Sequence, residues 1–398
     1  MSDNPIYTPV PLKHVIALTD QLLEIAAMAG ASDLHLEPLF QSMRIRMRVD
    51  GLMQLLKPPF DQLPATLADA IVVRIKLLSE MDISESRRPQ DGSFQWQLND
   101  KRLDIRCSSL AGHWGEKLVL RLQRQQQNID ICQQGLSPKQ LQVVNHQLNK
   151  PQGLILVTGP TGSGKTMFLY SCLKQIQAPQ INTVSAEDPV EVVLLDVHQV
   201  AVNNAINLSF SQILRALLRQ DPDVIMLGEL RDFASADVAL KAAQTGHLLL
   251  TSMHTSSLSE ALHRCHGLGV DMLALSYCLS LIINQRLVRR LCAQCKQPMT
   301  EVQLASMSSE EWLSAVTTYD LGFGAVNPCL PIGCEACHGG YKGRFGVFDI
   351  LVMDQSKRDS VAQRQVQELE FGVGVRRQGL WRVLSGHTSI AEVNRVTW

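Results

Sequence analysis

The sequence predicts an α/β protein: a phosphate-binding core, a smaller α+β domain before it, and a cysteine-bearing, helical region after it. Three observations carry this. Gly159-Pro160-Thr161-Gly162-Ser163-Gly164-Lys165-Thr166 follows the apolar run Leu154-Ile155-Leu156-Val157 and enters Met167-Phe168-Leu169-Tyr170 with no further Gly or Pro. That is strand, glycine-rich turn and helix. Downstream, continuous apolar runs such as Val224-Ile225-Met226-Leu227 alternate with helical segments, as buried parallel strands do. Upstream, Met43-Arg44-Ile45-Arg46-Met47-Arg48-Val49 alternates strictly and meets Asp50-Gly51, the signature of an antiparallel hairpin.

At 398 residues the chain is expected to hold two or three domains. Charged residues are 19% and hydrophobic ones 45%, ordinary for a globular protein. A formal net charge of −1 gives no global attraction to nucleic acid or anionic lipid. Met1-Ser2-Asp3-Asn4-Pro5 lacks the basic and apolar segments of a signal peptide. The stretch from Met272 to Ile283 is broken by Ser276 and Ser280 and is too short to span a bilayer. A cytoplasmic protein with no direct membrane span is expected, any membrane contact being made through partners.

Residues 1–11 read as a leader. Leu12, Val15, Ile16, Thr19, Leu22, Leu23 and Ala26 then recur at helical spacing up to Gly30. The first hairpin returns through Leu52-Met53-Gln54-Leu55, and Arg44, Arg46 and Arg48 are expected on a solvated face. A helix is predicted from about 64 to 79. In the second hairpin Phe94, Trp96 and Leu98 alternate, Asn99-Asp100 turns, and Leu103, Ile105 and Cys107 return. One more strand over 117–121 completes an α+β domain at 12–124. The glutamine-rich stretch that follows reads as a linker, 125–136. Ser137-Pro138 starts a capped helix. The core is placed at 137–284, with strands from Gly153 and at 181–186, 224–227 and 247–251, and helices at 209–219 and 232–244. A tetracysteine region at 285–350 and a helical tail at 351–398 follow.

The glycine-rich turn suits a phosphate for physical reasons. Gly162 and Gly164 permit backbone angles that bring successive N–H groups round an anion. The helix behind them presents its positive end to the same charge. Lys165 places a cation on the outer phosphates, and the Thr166 hydroxyl can ligate Mg²⁺. A chance glycine-rich turn is the alternative, against which the strand and helix on the correct sides weigh. The expected ligand is a nucleoside triphosphate held by Gly159, Pro160, Thr161, Gly162, Ser163, Gly164, Lys165 and Thr166.

Such a site also needs an acid for Mg²⁺ and a group to orient water. Glu229 follows the strand at 224–227, a Walker-B-like placement, and Glu187 follows the strand at 181–186. Sites in open α/β sheets lie at the carboxyl ends of strands, so both acids are candidates. Each has an ordinary loop-start acid as its alternative, and the two readings are closer for Glu187. His247 and His254 bracket the next strand, and His254, at the carboxyl end, is the better placed.

Further motifs accompany these. They are Ala31-Ser32-Asp33-Leu34-His35-Leu36-Glu37-Pro38, Arg88-Pro89-Gln90-Asp91-Gly92, Glu187-Asp188-Pro189-Val190-Glu191, Leu218-Arg219-Gln220-Asp221-Pro222-Asp223, Gly228-Glu229-Leu230-Arg231-Asp232, and Thr245-Gly246-His247 with His254-Thr255. In this set the chain resembles the type II secretion and type IV pilus assembly ATPases. The resemblance implies a RecA-like core and a hexameric ring whose two domains close over ATP at subunit junctions. It implies that Glu187 and Glu229 handle Mg²⁺ and water, either being the base. It places His254, and after it His247, beside the phosphate. It makes Arg88 and Arg106 the arginines reaching the γ-phosphate from the smaller domain, a role that suits a permanently charged fork. The His box departs from the family at Met253 and Ser256, and Cys107 and Ala111-Gly112 interrupt the pattern after Arg106. The match begins at the family's second N-terminal domain, so the first, which docks to a membrane-anchored partner, is expected to be absent.

Of ten cysteines, Cys292, Cys295, Cys334 and Cys337 form two C-x-x-C pairs. Paired knuckles of this kind fit a structural Zn²⁺ with four thiolates at about 2.3 Å. Arg289, Arg290 and Lys296 beside the first pair favour thiolates, and redox-active or incidental cysteine is the alternative. Cys329 lies outside the pairs. The resemblance adds that assembly and secretion members carry such an insert and retraction motors lack it. The implied function is a cytoplasmic hexameric motor, peripheral to the inner membrane. It would hydrolyse ATP with Mg²⁺ to power pilin or pseudopilin assembly through an inner-membrane platform protein. Two alternatives stand beside it. One is a nucleic-acid-binding or translocating RecA-like ATPase with a zinc ribbon, against which the near-zero charge and 5% aromatic content weigh. The other is a relative that binds ATP and turns it over weakly.

Overall fold

The computed structural model of the chain describes residues 11–98, 101–124, 129–300, 303, 327–369 and 374–397. These fall into two compact units, Met1–Gln126 and Gln127–Trp398. The Asn99-Asp100 turn and most of the segment between the two cysteine pairs lie outside the described residues.

The first unit runs α1 (Leu12–Met28), β1 (Asp33–Leu39), β2 (Ser42–Val49), β3 (Leu52–Leu55), β4 (Gln62–Pro64), α2 (Ala65–Leu78), β5 (Gln90–Leu98), β6 (Lys101–Gly112) and β7 (Gly115–Arg124). The strands form one sheet in the order β3-β2-β1-β7-β6-β5, with β4 beside β2. Leu22 and Leu23 of α1 and Ile71 and Ile75 of α2 bury against Leu34, Leu36, Ile45, Leu118 and Leu120. The hairpins and both helices follow the predicted pattern. β1 is an addition: it offers only Leu34 and Leu36 before Pro38, too short an alternation to stand out. The arginine face also differs from expectation. Arg44 and Arg46 reach the Glu37 carboxylate at 2.9 and 2.7 Å, and Lys117 reaches it at 3.1 Å. Those arginines are partly exposed but paired, because β1 sets a nearly buried acid beside them.

The second unit runs α3 (Pro138–Leu148), β8 (Gly153–Thr158), α4 (Lys165–Ile176), β9 (Thr183–Glu187), β10 (His198–Ala201), α5 (Phe210–Leu217), β11 (Val224–Leu227), α6 (Phe233–Gln244), β12 (Leu248–Met253), α7 (Leu258–Gly267), α8 (Met272–Cys278) and β13 (Leu279–Leu291). Then come β14 (Gln297–Pro298), β15 (Cys329–Leu330), β16 (Tyr341–Val352), α9 (Gln355–Ala362), α10 (Val375–Leu384) and α11 (Ile390–Thr397). The main sheet has the order β10-β9-β11-β12-β8-β13-β16, parallel except for the β13–β16 pair. β8, β9, β11 and β12 are buried along their whole length, which is why β8, β11 and the start of β12 read as continuous apolar runs. Phe168, Leu169 and Leu173 of α4 pack on one face with Ile155, Val157 and Ile283. On the other face, α5, α6 and α7 bring Ile213, Leu214, Ala239 and Leu262 against Leu154, Leu156 and Ile225.

Three details refine the sequence reading. Within the stretch read as a linker, Ile129 and Ile131 are buried in the core of the second unit, anchors hidden among glutamines. The apolar stretch 272–283 splits into a helix and the start of a strand. Among the described residues no helix is long and apolar enough to cross a membrane. β13 passes unbroken through residue 284 and β16 through residue 350, so the sheet reaches from the phosphate loop to the first cysteine pair.

Candidate nucleotide site

β8 ends at Thr158, and its neighbours align there: Met253 of β12 and Asn284 of β13 both face Thr158 across the sheet. The loop that follows needs its glycines. Gly162 and Gly164 have φ of +77° and +88°, the left-handed region that favours glycine. A side chain at Gly159 would sit 2.4 Å from Ser163 Oγ and 2.6 Å from the Gln285 carbonyl. A side chain at Gly162 would meet nothing within 4 Å, so this exposed turn stands open. Thr166 stands half-buried in the first turn of α4.

Lys165 is buried, and its ammonium donates to the carbonyls of Gly159 (2.8 Å) and Pro160 (3.2 Å). It also lies 3.3 Å from His254 Nδ1. Burial pushes the Lys165 ammonium down to about 8; the Glu229 charge opposes this and the Arg286 charge adds to it. A lysine has only donors, so Nδ1 of His254 accepts and the neutral ring carries its proton on Nε2. That nitrogen faces Glu229 Oε1 at 3.4 Å. Burial, with help from Lys165, lowers the His254 pKa and keeps the ring neutral. Glu229 also accepts from Arg231 Nε at 2.9 Å, and Arg231 bridges to Asp188 at 2.9 Å. Lys165, His254 and Glu229 therefore form one line across the carboxyl ends of β8, β12 and β11.

The other candidates stand elsewhere. Glu187, last residue of β9, is 2% exposed and takes three side-chain donors. It accepts from Ser185 Oγ at 2.7 Å, from Gln199 Nε2 at 2.9 Å and from the Tyr170 hydroxyl of α4. His247 sits at the amino end of β12, its Nδ1 3.0 Å from the Ala242 carbonyl, beside the start of β8 rather than its end. Arg88 and Arg106 belong to the first unit. Arg88 is exposed before β5, and Arg106 lies on β6, across from Ser93 and Arg121.

Sequence reasoning passed over Asn284, Gln285 and Arg286. Gln285 is fully buried, and among the described residues neither end of its carboxamide has a hydrogen-bond partner; Ser163 Oγ is likewise unpartnered. A polar triplet closing the apolar start of β13 was the available signal. Orphaned polar groups beside a buried cation, Lys165, whose ammonium burial pushes down, are what a site built for an anion presents. The residues fit a nucleoside triphosphate.

The cysteine pairs converge as expected. Sγ of Cys292 lies 3.9 Å from Cys334, Cys295 lies 3.7 Å from Cys337, and Cys334 lies 3.7 Å from Cys337. A tetrahedral ion with bonds of about 2.3 Å sets its sulfurs about 3.8 Å apart. The four thiols fit Zn²⁺.

Comparison with known proteins agrees with this geometry. The family described as "Type II/IV secretion system protein" matches residues 11–395. The type IV pilus assembly ATPase PilB of Acinetobacter baylyi is 41% identical over 96% of this chain and 66% of its own length. The corresponding PilB of Pseudomonas aeruginosa is 39% identical, over 96% and 67%. The type II secretion system protein E of Aeromonas hydrophila is 36% identical, over 96% and 75%. The chain thus spans about two thirds of the PilB relatives. Among solved structures, the Legionella pneumophila ATPase DotB superposes with a TM-score of 0.68 at 19% identity, covering 100% of this chain and 98% of its own. The pilus retraction motor PilT superposes at 0.60 with 24% identity, covering 94% and 96%. These two show the fold, and the family match with the three relatives shows the lineage: the chain belongs to the type II/IV secretion system protein family.

Proposed function

We propose that this chain is a motor ATPase that works as a hexamer to power assembly of pilin or pseudopilin subunits through an inner-membrane platform protein. The observation that carries the reading is the line Lys165–His254–Glu229 beside the open glycine turn at Gly162. The names of its relatives, pilus assembly ATPase and type II secretion protein E, support the direction of the work. Main-chain amides of residues 159–166 would hold the phosphates, and Lys165 would leave its carbonyls to neutralise them. Thr166 and Glu229 would hold Mg²⁺, which supplies charge neutralisation on the outer phosphates when bound. Neutral His254, its proton on Nε2, couples the lysine to Glu229. Glu229, held by Arg231 and facing His254, is assigned to polarising water, whereas the buried Glu187 is better suited to anchoring α4 and β9 through Tyr170. Arg88 and Arg106 are assigned the γ-phosphate from the smaller unit, which would couple domain closure to hydrolysis. Cys292, Cys295, Cys334 and Cys337 are assigned a structural Zn²⁺, with no position left open for chemistry. The site of action is the cytoplasmic side of the inner membrane.

Steady-state phosphate release tests the reading, measured on wild-type protein and on Lys165→Ala, with native mass measured in ATP and Mg²⁺. Turnover that depends on Lys165 and a six-fold mass are expected. Full activity in Lys165→Ala would rule the motor out. Metal analysis is expected to find one zinc per chain, lost in Cys295→Ser.

A further inference from the structure

The carboxyl end of the sheet contains a hydrogen-bonded relay that the roles above leave unused. Thr158, fully buried, is the last residue before the phosphate loop. Asn284 Nδ2 donates to Thr158 Oγ1 at 3.0 Å. Arg286 Nη1 donates to Asn284 Oδ1 at 2.9 Å, and Arg286 Nη2 donates to the Ser256 carbonyl at 2.7 Å. Ser256 lies two residues beyond His254, and its own N–H and hydroxyl donate to Glu260 of α7. One guanidinium thus ties the end of the phosphate-loop strand to the loop that carries His254. A planar fork can hold two oxygens on two separate segments at fixed spacing, which a lysine cannot. The bonds described go to neutral oxygens, so the arrangement costs desolvation without an ion pair in return.

We propose that Arg286 is a positioning residue for hydrolysis: held by Asn284 and Thr158 on one side and the Ser256 carbonyl on the other, it fixes His254 relative to the phosphate loop. The inference rests on the ATPase reading. His254 spans 3.3 Å to Lys165 and 3.4 Å to Glu229, so a drift of about an ångström breaks the line, a misplacement that can cost about 100-fold in rate.

The test measures ATP affinity, kcat and KM on the whole chain for R286Q, R286K, H254A and the R286Q/H254A double variant. R286Q is expected to lose about tenfold or more in kcat while ATP affinity changes by less than about threefold. R286K, a charge without a fork, is expected to stay closer to R286Q than to wild type. The double variant is expected to be no slower than the slower single one, because both changes break one unit. Wild-type kcat in R286Q, or full additivity in the double variant, overturns the proposal. If R286Q does not fold, Asn284→Ala removes the link from the guanidinium to Thr158, leaving its bond to the Gln285 carbonyl at 3.2 Å, and enters the same cycle. Wild-type protein that neither binds nor hydrolyses ATP sinks the ATPase reading as well; normal turnover with an indifferent Arg286 sinks this proposal alone.

Discussion

Two charged clusters, one in each unit, are built on opposite principles. In the first unit Glu37 is nearly buried and receives Arg46, Arg44 and Lys117 within about 3 Å, so its acceptor sites are filled. At the carboxyl end of the main sheet the balance is reversed. Lys165 and Arg286 turn to main-chain carbonyls and side-chain nitrogen or oxygen, while Gln285 and Ser163 lack partners among the described residues. A cluster with every site filled holds a fold together. A cluster with idle donors and a buried ammonium held on neutral groups leaves room for an anion. Glu392, buried between Arg289 and Arg395 at 2.8 and 2.6 Å, repeats the closed pattern near the cysteine pairs.

The largest effect comes from removing the central cation of the open cluster. Lys165→Ala is expected to lower hydrolysis by roughly 100- to 1,000-fold, the scale of one lost transition-state contact. Its stability should move the other way. The native ammonium loses its proton near 8, below the 10.5 of an unhindered lysine. Between those values the unfolded chain binds more protons, so wild-type stability rises with pH there. Below about 8 the buried charge is a burden, and the variant is expected to melt at or above the wild-type temperature at pH 7. Thermal melts of both proteins from pH 7 to 10, without nucleotide, check this. A variant weaker by more than about 2 kcal/mol would make Lys165 a structural residue and erase the contrast.

The matching change in the closed cluster is Glu37→Gln, with the opposite signature. Burial alone raises the Glu37 carboxyl, but the hydrogen bonds of Arg46, Lys117 and Arg44 outweigh it and bring it down to about 2. The stabilisation is therefore present above about 4.5 and is lost as pH falls towards 2. Breaking a buried pair costs about 3–5 kcal/mol, and the partly exposed cations reduce this to about 2 kcal/mol at pH 7. Denaturant melts should show that gap at pH 7 and close it near pH 2, with ATP turnover unaffected per folded molecule. A gap that persists at low pH would mean that packing, not charge, holds Glu37.

How far the sequence shows this contrast depends on what each group touches. The phosphate loop and the strands β8, β11 and β12 are legible because glycine spacing and apolar runs are local. The convergence of the two cysteine pairs is legible from spacing as well. The partners of polar groups are not. Glu187 and Glu229 each close an apolar strand and look alike in sequence, yet one meets Tyr170, Ser185 and Gln199 and the other meets His254 and Arg231. Arg44 and Arg46 look like a solvated face until β1 sets Glu37 opposite them. Arg286 and Asn284 act through Ser256 and Thr158, 30 and 126 positions away, a distance that periodicity does not reach.

The smallest effect separates backbone strain from phosphate binding within the open cluster itself. Gly162 has φ +77°, so Ala there strains the left-handed backbone by about 1 kcal/mol. Nothing within 4 Å opposes the added methyl, so packing contributes no further cost. A melt of Gly162→Ala should therefore fall by only a few degrees. Affinity should respond more than stability, because the methyl occupies the space in which main-chain amides close on a phosphate. Titration with ATP and with a non-hydrolysable analogue measures this directly. Unchanged affinity would show that the anion seats elsewhere on the loop, and the Lys165 ammonium would then need another partner.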